Sequence, residues 1–337
     1  NGHMDVVPEG PHDMWEVSPP YEPKREGDWL YGRGAGDMKA GIAANLYALD
    51  ALRRLGYQPA ARVHFQSVVE EECTGNGALA CLVEGYTADA AIIPEPVEEQ
   101  LVRANVGVLW FEVEVAGHPV HVRTAGTGFN AIEAGYRVIE ALKDLCEDWN
   151  AEKANYPHFA ELDHPINFNV GKIEGGDWAS SVPAWCRLSC RIAIYPGDDP
   201  AARARQIEEH LAARVADDPF LGNRLPKVTW NGFFARGYVL EEGSDAEEVL
   251  ARSHRVASER DLTSFVTPAY LDARVFVIYA GMPCLVYGPR SESVHGFDER
   301  VSLESIRRVT GTIALFIAQW CGLEKIDDGG EGARDAG

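Results

Sequence analysis

Residues 31–55 read YGRGAGDMKAGIAANLYALDALRRL and join a glycine-rich loop to an amphipathic helix. Apolar side chains recur at helical spacing after Lys39, and Gly56 stands where a helix C-terminus favours the left-handed conformation. We therefore predict a helix over 39–55 that begins directly after Asp37. Glycines before Asp37 allow the backbone to approach a ligand closely, although an aspartate at this position can also serve as a simple helix cap.

The elements around this segment predict an α/β fold. Strand-like runs at 62–69 (RVHFQSVV) and 89–94 (DAAIIP) are separated by a helical stretch at 77–84. Near the C-terminus the same alternation of strand and helix continues, with a strand-like run at 285–289 and a helix at 303–320. Strands that alternate with helices predict a mostly parallel mixed sheet with helices on both faces.

The middle of the chain has a different pattern. The sequence VGVLWFEVEVAG, which follows Asn105, alternates apolar and polar residues like a half-exposed strand. Helical stretches at 130–145 and 200–215 then alternate with strand-like runs at 187–195 and 227–231. We predict a catalytic domain at 1–104 and 232–325, an inserted α+β domain at 105–231, and a disordered tail at 326–337.

The composition limits the binding partners that we expect for the protein and the cellular compartment in which we expect it. The 337 residues include 52 acidic and 31 basic side chains, and the formal net charge of −21 argues against binding to nucleic acid or anionic lipid. No apolar run approaches the roughly 18 residues that span a bilayer, so we expect no membrane association. Seven scattered cysteines, an odd number, favour a reducing cytoplasm over a disulfide framework.

Two short segments near the strand-like runs contain candidate metal ligands. His3 and Asp5 share a face on extended backbone, where the aspartate can orient a metal-binding histidine, and a buried structural pair is the alternative. Glu70, Glu71 and Glu72 crowd three carboxylates at the end of a strand-like run. Such crowding is unfavourable unless positive charge lies nearby, and a solvated acidic strand end is the alternative.

Two more candidates follow apolar runs, at the edge where ligands of α/β sheets gather. These are Glu95 in IIPEP and His295 in SVHGFDE. Together with the residues above they supply two imidazoles and several carboxylates on strand-end loops. That set suits a pair of divalent ions that share a bridging carboxylate, and the lack of cysteine among these ligands favours Zn, Co or Mn.

The order of these motifs resembles that of a metal-dependent superfamily. The motifs are His3-x-Asp5, Gly36-Asp37-Met38-Lys39, Glu71-Glu72 with Gly77, Glu95-Pro96, and His295. The superfamily contains acetylornithine deacetylase, succinyl-diaminopimelate desuccinylase, aminoacylase and bacterial glutamate carboxypeptidase. The resemblance covers nearly the whole chain, and it implies that an N-terminal part of the catalytic domain is missing.

The resemblance implies a role for each matching residue. Asp37 would bridge two metals, His3 and Glu95 would complete one ion's shell, and Glu72 and His295 would complete the other. Glu71 would be the general base, and Asp5 would assist catalysis as the partner of His3. The resemblance also implies a cis peptide bond between Asp37 and Met38.

The inserted domain resembles the lid and dimerisation domain of that superfamily. His121, in a Gly-x-x-x-His segment, would bind substrate and stabilise the oxyanion in the partner subunit's site, whereas a packed strand histidine is the alternative. Arg274, in LDAR, would bind a substrate carboxylate, whereas a surface salt bridge is the alternative. Many relatives carry Asn before the Val/Ile-Pro pair in the lid, but Ser180 occupies that place here, which puts the usual substrate in doubt.

We therefore predict a homodimeric metal-dependent hydrolase of linear amides. Its substrate would be a small N-acyl amino acid or a related compound, as for acetylornithine deacetylase. A dipeptidase or carboxypeptidase acting on a short peptide is the alternative within the superfamily. A catalytically silent, metabolite-binding relative is the alternative of another class, and an intact base at Glu71 argues against it.

Overall fold

The computed structural model describes residues 1–218 and 220–326, which form two compact units. The first unit comprises Asn1–Val102, Leu240–Phe265 and the chain from Val275 onwards. The second comprises Arg103–Val239 and Val266–Arg274 and shares most of its residues with the predicted insertion at 105–231. Residues 327–337 of the predicted tail lie outside the described residues.

The first unit has parallel strand pairs and four α-helices among its described residues. Gly2–His3 pairs in parallel with Ser67–Val68, and Ala91–Ile93 pairs in parallel with Cys284–Val286. The helices are α1 (Ala40–Arg54), α2 (Asn76–Val83), Asp245–Ser258 and Leu303–Cys321, with short helical turns at His12–Met14, Ala35–Lys39 and Val275–Tyr279. The remaining strands are Lys24–Glu26, Trp29–Tyr31, Tyr57–Pro59, Ser291–Glu292, Arg300–Ser302 and Leu323–Lys325.

The second unit is an antiparallel sheet covered by two helices. The strands lie in the order Lys227–Ala235, Gly107–Ala116, Trp185–Ile194 and Phe168–Gly175. The helices Ala131–Ala151 and Pro200–Val215 pack on this sheet around a core that includes Phe111, Leu142 and Ile192. Short helical turns occur at Val122–Thr127, Glu152–Asn155 and Leu221–Asn223, and strands at Leu101–Asn105, Tyr238–Val239 and Ser264–Thr267 complete the described elements.

Local sequence explains where the helices of the second unit begin. The side chain of Asn130 accepts hydrogen bonds from the N–H groups of Ile132 and Glu133, which caps the first helix. Asp199 caps the second in the same way, and Pro200 follows at a position that needs no N–H donor. The predicted α/β fold with an additional α+β unit is confirmed.

One predicted strand is wrong over most of its length. Of residues 62–69, only Ser67–Val68 forms a strand, because Gly2–His3 is only two residues long and no other described strand runs beside 62–66. Among the described residues, no helix has both the length and the apolar character that crossing a membrane requires.

Candidate metal centre

The parallel strand pairs bring acidic residues close to His3. His3 ends its strand beside Ser67–Val68. After Val68 the chain turns sharply, and the carbonyl oxygen of Glu70 accepts hydrogen bonds from the N–H groups of Thr74 (3.0 Å) and Gly75 (2.7 Å). This turn carries Glu71 and Glu72. In the second parallel pair, Glu95 follows the strand Ala91–Ile93. Both acidic segments therefore leave the carboxyl ends of parallel strands, where such folds bind ligands.

Asp37 lies in the loop immediately before α1, outside the helical conformation. Its backbone angles are φ −111° and ψ 97°, and the Asp37–Met38 peptide bond is cis, as predicted. The residue that caps α1 is Lys39, which makes no capping bond with its side chain. The alternative that Asp37 caps the helix is therefore wrong, and its carboxylate faces the histidines instead.

The two oxygens of Asp37 face different histidines. Oδ1 lies 3.0 Å from Nε2 of His3, and Oδ2 lies 3.2 Å from Nε2 of His295. Glu95 approaches His3, with 3.8 Å between Oε2 and Nε2, and Glu72 approaches His295, with 3.2 Å between the same atoms. Asp37 thus stands between two groups of ligand atoms, each with one imidazole and one further carboxylate.

Glu71 belongs to the same cluster. Its Oε2 lies 4.0 Å from Nε2 of His3, and the residue is only 7% exposed. The alternative of a solvated acidic strand end is therefore wrong for Glu71, although Glu70 is exposed. Three sets of side chains each bring their ligand atoms within 4.8 Å of one another: His3, Glu71 and Glu72; His3, Asp37 and Glu95; and Asp37, Glu72 and His295.

The electrostatics of the cluster favour positive charge. Burial lowers the pKa of His3, but hydrogen bonds and charge from Asp37 and Glu95 outweigh it and leave that pKa well above the ordinary value. Hydrogen bonds with Asp37 and then Glu72 raise the pKa of His295 to about 10. Burial raises the pKa of Asp37, yet the bonds from His295 and His3 hold it below the ordinary range.

These residues fit a pair of divalent cations. Imidazole nitrogens and carboxylate oxygens are the ligands that Zn, Co and Mn take, and the excess of carboxylates here requires compensating positive charge. Because each oxygen of Asp37 faces its own histidine, Asp37 would be shared between the two ions if both were bound. A metal-dependent site is therefore chemically reasonable from the donor set alone.

Asp5 connects the histidine to the acidic turn. His3 Nδ1 donates to the main-chain oxygen of Asp5 at 3.0 Å, and the carboxylate oxygen Oδ1 lies 3.5 Å from the same nitrogen. Since a carbonyl oxygen only accepts, Nδ1 carries a proton and Nε2 is the nitrogen that faces Asp37. The other carboxylate oxygen of Asp5 accepts the N–H of Glu72 at 3.3 Å.

His121 and Arg274 both belong to the second unit. His121 is exposed, so the alternative of a packed strand histidine is wrong. Its Nδ1 accepts the N–H of Arg123 at 3.0 Å, which leaves the proton on Nε2 in the neutral ring. Arg274 is 5% exposed, so its position is not the surface position of that alternative, and it donates from Nε to the hydroxyl of Tyr270 at 3.0 Å.

Ser180 lies on a segment that pairs with the His121 segment. It is exposed, and its carbonyl oxygen accepts the N–H of Val122 at 3.1 Å. His121 and Ser181 form an antiparallel bridge beside it. Ser180, which stands where many relatives carry asparagine, is therefore the direct neighbour of the residue that pairs with His121, the proposed oxyanion donor.

Two residues of this region were not singled out from the sequence. Glu299 is a buried carboxylate under the Asp37 loop, and Arg33 forms an ion pair with it at 2.6 Å. Both stand inside motifs quoted above, YGRGAGD and SVHGFDE. Two features of the sequence point to these residues: the arginine lies between two glycines, and the glutamate lies four positions after His295.

The fold and the donor set define an α/β protein with a candidate centre for divalent metal ions. Residues 1–319 match the model of peptidase family M20/M25/M40, and the chain belongs to that family. The resemblance noted from the sequence motifs is thereby confirmed at the level of the family.

Individual relatives extend this finding. N-formyl-4-amino-5-aminomethyl-2-methylpyrimidine deformylase of Halalkalibacterium halodurans is 29% identical over 344 residues, which cover 96% of this chain and 79% of the relative. Succinyl-diaminopimelate desuccinylase of Caulobacter vibrioides is 27% identical over 331 residues, which cover 95% and 80%. Human carnosine dipeptidase 1 shares the fold, with a TM-score of 0.75 at 16% identity over 95% of this chain and 78% of that one.

Proposed function

We propose that this protein hydrolyses the amide bond of a small N-acyl amine with two divalent metal ions. His3 and Glu95 would hold one ion, Glu72 and His295 would hold the other, and Asp37 would bridge them. The single observation that carries the proposal is the division of the Asp37 carboxylate, with one oxygen 3.0 Å from His3 and the other 3.2 Å from His295. Zn or Co suits the mixed imidazole and carboxylate set best, and Mn is the third candidate.

Glu71 is the residue proposed to move protons. It is buried beside the ligands and accepts the proton of the attacking water, then delivers that proton to the departing amine. When bound, the cations would polarise the acyl oxygen and lower the pKa of water to about 7. Asp5 holds the Nδ1 side of His3, so that the Nε2 lone pair stays directed into the site.

The oxyanion donor is proposed to come from a second copy of the chain. The Nδ1 bond from Arg123 leaves the proton of a neutral His121 on Nε2, which makes that atom a hydrogen-bond donor at an exposed position. In a homodimer formed through the second unit, the partner subunit's His121 would stabilise the negative oxygen of the intermediate. Arg274 would bind an anionic group of the substrate.

The substrate class is argued from the relatives. The relatives reported above by sequence are named as a deformylase and a desuccinylase, and both names describe removal of a small acyl group from an amine. Hydrolysis of a dipeptide uses the same chemistry on a different leaving group, so a dipeptidase is the rival substrate assignment. A cytoplasmic location stays a prediction of the cysteine pattern.

The test is a panel of amides assayed with added Zn or Co. N-formyl, N-acetyl and N-succinyl derivatives of amino acids and of an aminomethylpyrimidine are compared with dipeptides, and amine release is measured. The proposal expects kcat/KM to be highest for one of the N-acyl compounds. Turnover confined to dipeptides would overturn the substrate class, and no turnover of any amide would overturn the activity.

A further inference from the structure

A buried carboxylate that is not a proposed metal ligand lies under the loop that carries Asp37. Glu299 is 1% exposed. One of its oxygens accepts the N–H groups of Gly36 (2.8 Å) and Asp37 (3.0 Å), and the other accepts the N–H of Gly34 (3.0 Å). Three backbone donors of one short loop therefore converge on a single side chain.

Arg33 links this carboxylate to the loop that carries His295. Its Nη1 donates to Glu299 at 2.6 Å, and its Nη2 donates to the carbonyl oxygen of Gly296 at 2.9 Å. Gly296 directly follows His295. The guanidinium also lies 5.2 Å from the ring centroid of Trp15, and both side chains of the ion pair are almost wholly buried. One ion pair thus contacts the loop of Asp37 and the loop of His295.

The loop geometry leaves little freedom for another arrangement. Gly34 has φ +76°, a conformation that favours glycine, and this directs its N–H towards Glu299. A Cβ atom on Gly36 would lie 2.9 Å from the side chain of Ser291 and 3.4 Å from Oε1 of Glu299. The backbone of the loop is therefore packed directly onto the carboxylate.

We infer that Arg33 and Glu299 are positioning residues that hold Asp37 and His295 at the spacing two metal ions need. The inference rests on the proposed metal site and deepens it. Because the pair combines one positive and one negative side chain, it adds orientation rather than net charge. Residues that orient metal ligands in this way typically change metal affinity by about 10–100-fold when they are replaced.

The isosteric substitution Glu299→Gln is informative because the four hydrogen-bond partners of the carboxylate named above are all donors. Each oxygen accepts two bonds, from Gly36 and Asp37 on one side and from Gly34 and Arg33 on the other. Whichever way the glutamine amide is turned, its NH2 group faces two donors. The variant therefore disturbs the loop without a change in side-chain volume.

A matched control exists in the second unit. Asp198 is also a carboxylate paired with an arginine, and it accepts from Arg203 Nε at 2.8 Å, from the hydroxyl of Tyr156 at 2.7 Å and from the N–H of Tyr195 at 3.3 Å. It lies on no proposed ligand loop. Asp198→Asn therefore replaces an arginine-paired carboxylate by an amide of the same size, as Glu299→Gln does, in the unit that contains none of the proposed metal ligands.

The experiment titrates metal-free protein with Co²⁺ and records binding stoichiometry, affinity and the visible spectrum of bound cobalt, with thermal unfolding of each metal-free variant beside it. We expect Glu299→Gln to bind Co²⁺ about 10–100-fold more weakly and with an altered spectrum. Glu299→Asp, which keeps the charge, should recover part of the affinity. Asp198→Asn should lower the melting temperature and leave affinity and spectrum at the wild-type values.

The outcomes separate the inference from the proposed function. If Glu299→Gln binds Co²⁺ like wild type and only melts earlier, the ion pair is a structural element alone and the inference is wrong. If wild type itself binds no Co²⁺, the metal site fails and the inference fails with it. Should Glu299→Gln not fold, Arg33→Lys decides, because lysine keeps the charge beside Glu299 but lacks the two-armed contact that reaches Gly296. Wild-type cobalt binding in Arg33→Lys would then overturn the inference.

Discussion

Replacement of Glu71 by glutamine separates proton transfer from metal binding. Glutamine keeps the size of the side chain but cannot accept a proton from water. A positioned general base contributes roughly 10²–10⁴-fold to turnover, which corresponds to about 2.7–5.4 kcal/mol of activation free energy. We therefore expect kcat of Glu71→Gln to fall by that factor while the protein keeps its metals.

The structure supplies the matched variant for this prediction. Glu72 lies 3.2 Å from His295, in a candidate ligand group with Asp37, and Glu71 lies 4.0 Å from His3, in a candidate ligand group with Glu72. Glu72→Gln should consequently lose both activity and metal. The assay combines metal analysis by mass spectrometry with amine release at saturating substrate. The assignment of the base is refuted if Glu71→Gln loses its metals or retains more than a tenth of wild-type turnover.

Three further predictions follow from the site. Glu72→Ala should deplete the ion that this residue shares with His295, and metal analysis equal to wild type would contradict the ligand assignment. In the metal-free protein the pKa of His295 is raised from 6.5 to about 10, so its charge stabilises the fold below pH 6.5 and this contribution is lost as pH rises through about 10. The melting temperature of protein stripped of metal by a chelator should fall as the pH rises across that window. A melting temperature that does not change with pH would contradict the prediction. His121→Ala should lower turnover by roughly 10²–10³ with metal content unchanged, and mixing it with Glu71→Gln under subunit exchange should restore activity. Failure to restore activity after proven exchange would remove His121 from a shared site.

Helices were predictable because their signals are local. The apolar spacing predicted a helix over 39–55, and the structure has Ala40–Arg54. The second helix of the inserted unit begins at Pro200 as predicted, since Asp199 caps it from the adjacent position. The strand predicted over 62–66 was wrong for the opposite reason. A strand depends on a neighbouring strand, which its own sequence does not reveal.

The candidate ligands were predictable as residue types in a characteristic order, and the family resemblance implied how they divide between two ions. Motif spacing alone did not give the distances that place each oxygen of Asp37 beside a different histidine. The role of Glu299 was equally hidden, because its bonds reach residues 262–266 positions earlier in the chain. Contacts of that sequence separation depend on the whole fold, whereas motif spacing reports only short segments.

The most direct test of the two-metal account is a titration of activity against metal content. Chelated protein is given increasing equivalents of Zn²⁺ or Co²⁺, and amine release from the best N-acyl substrate of the panel is measured at each point. The account predicts that turnover rises until two equivalents per chain are bound and then stays constant. Full turnover at one equivalent, or turnover in metal-free protein, would contradict it.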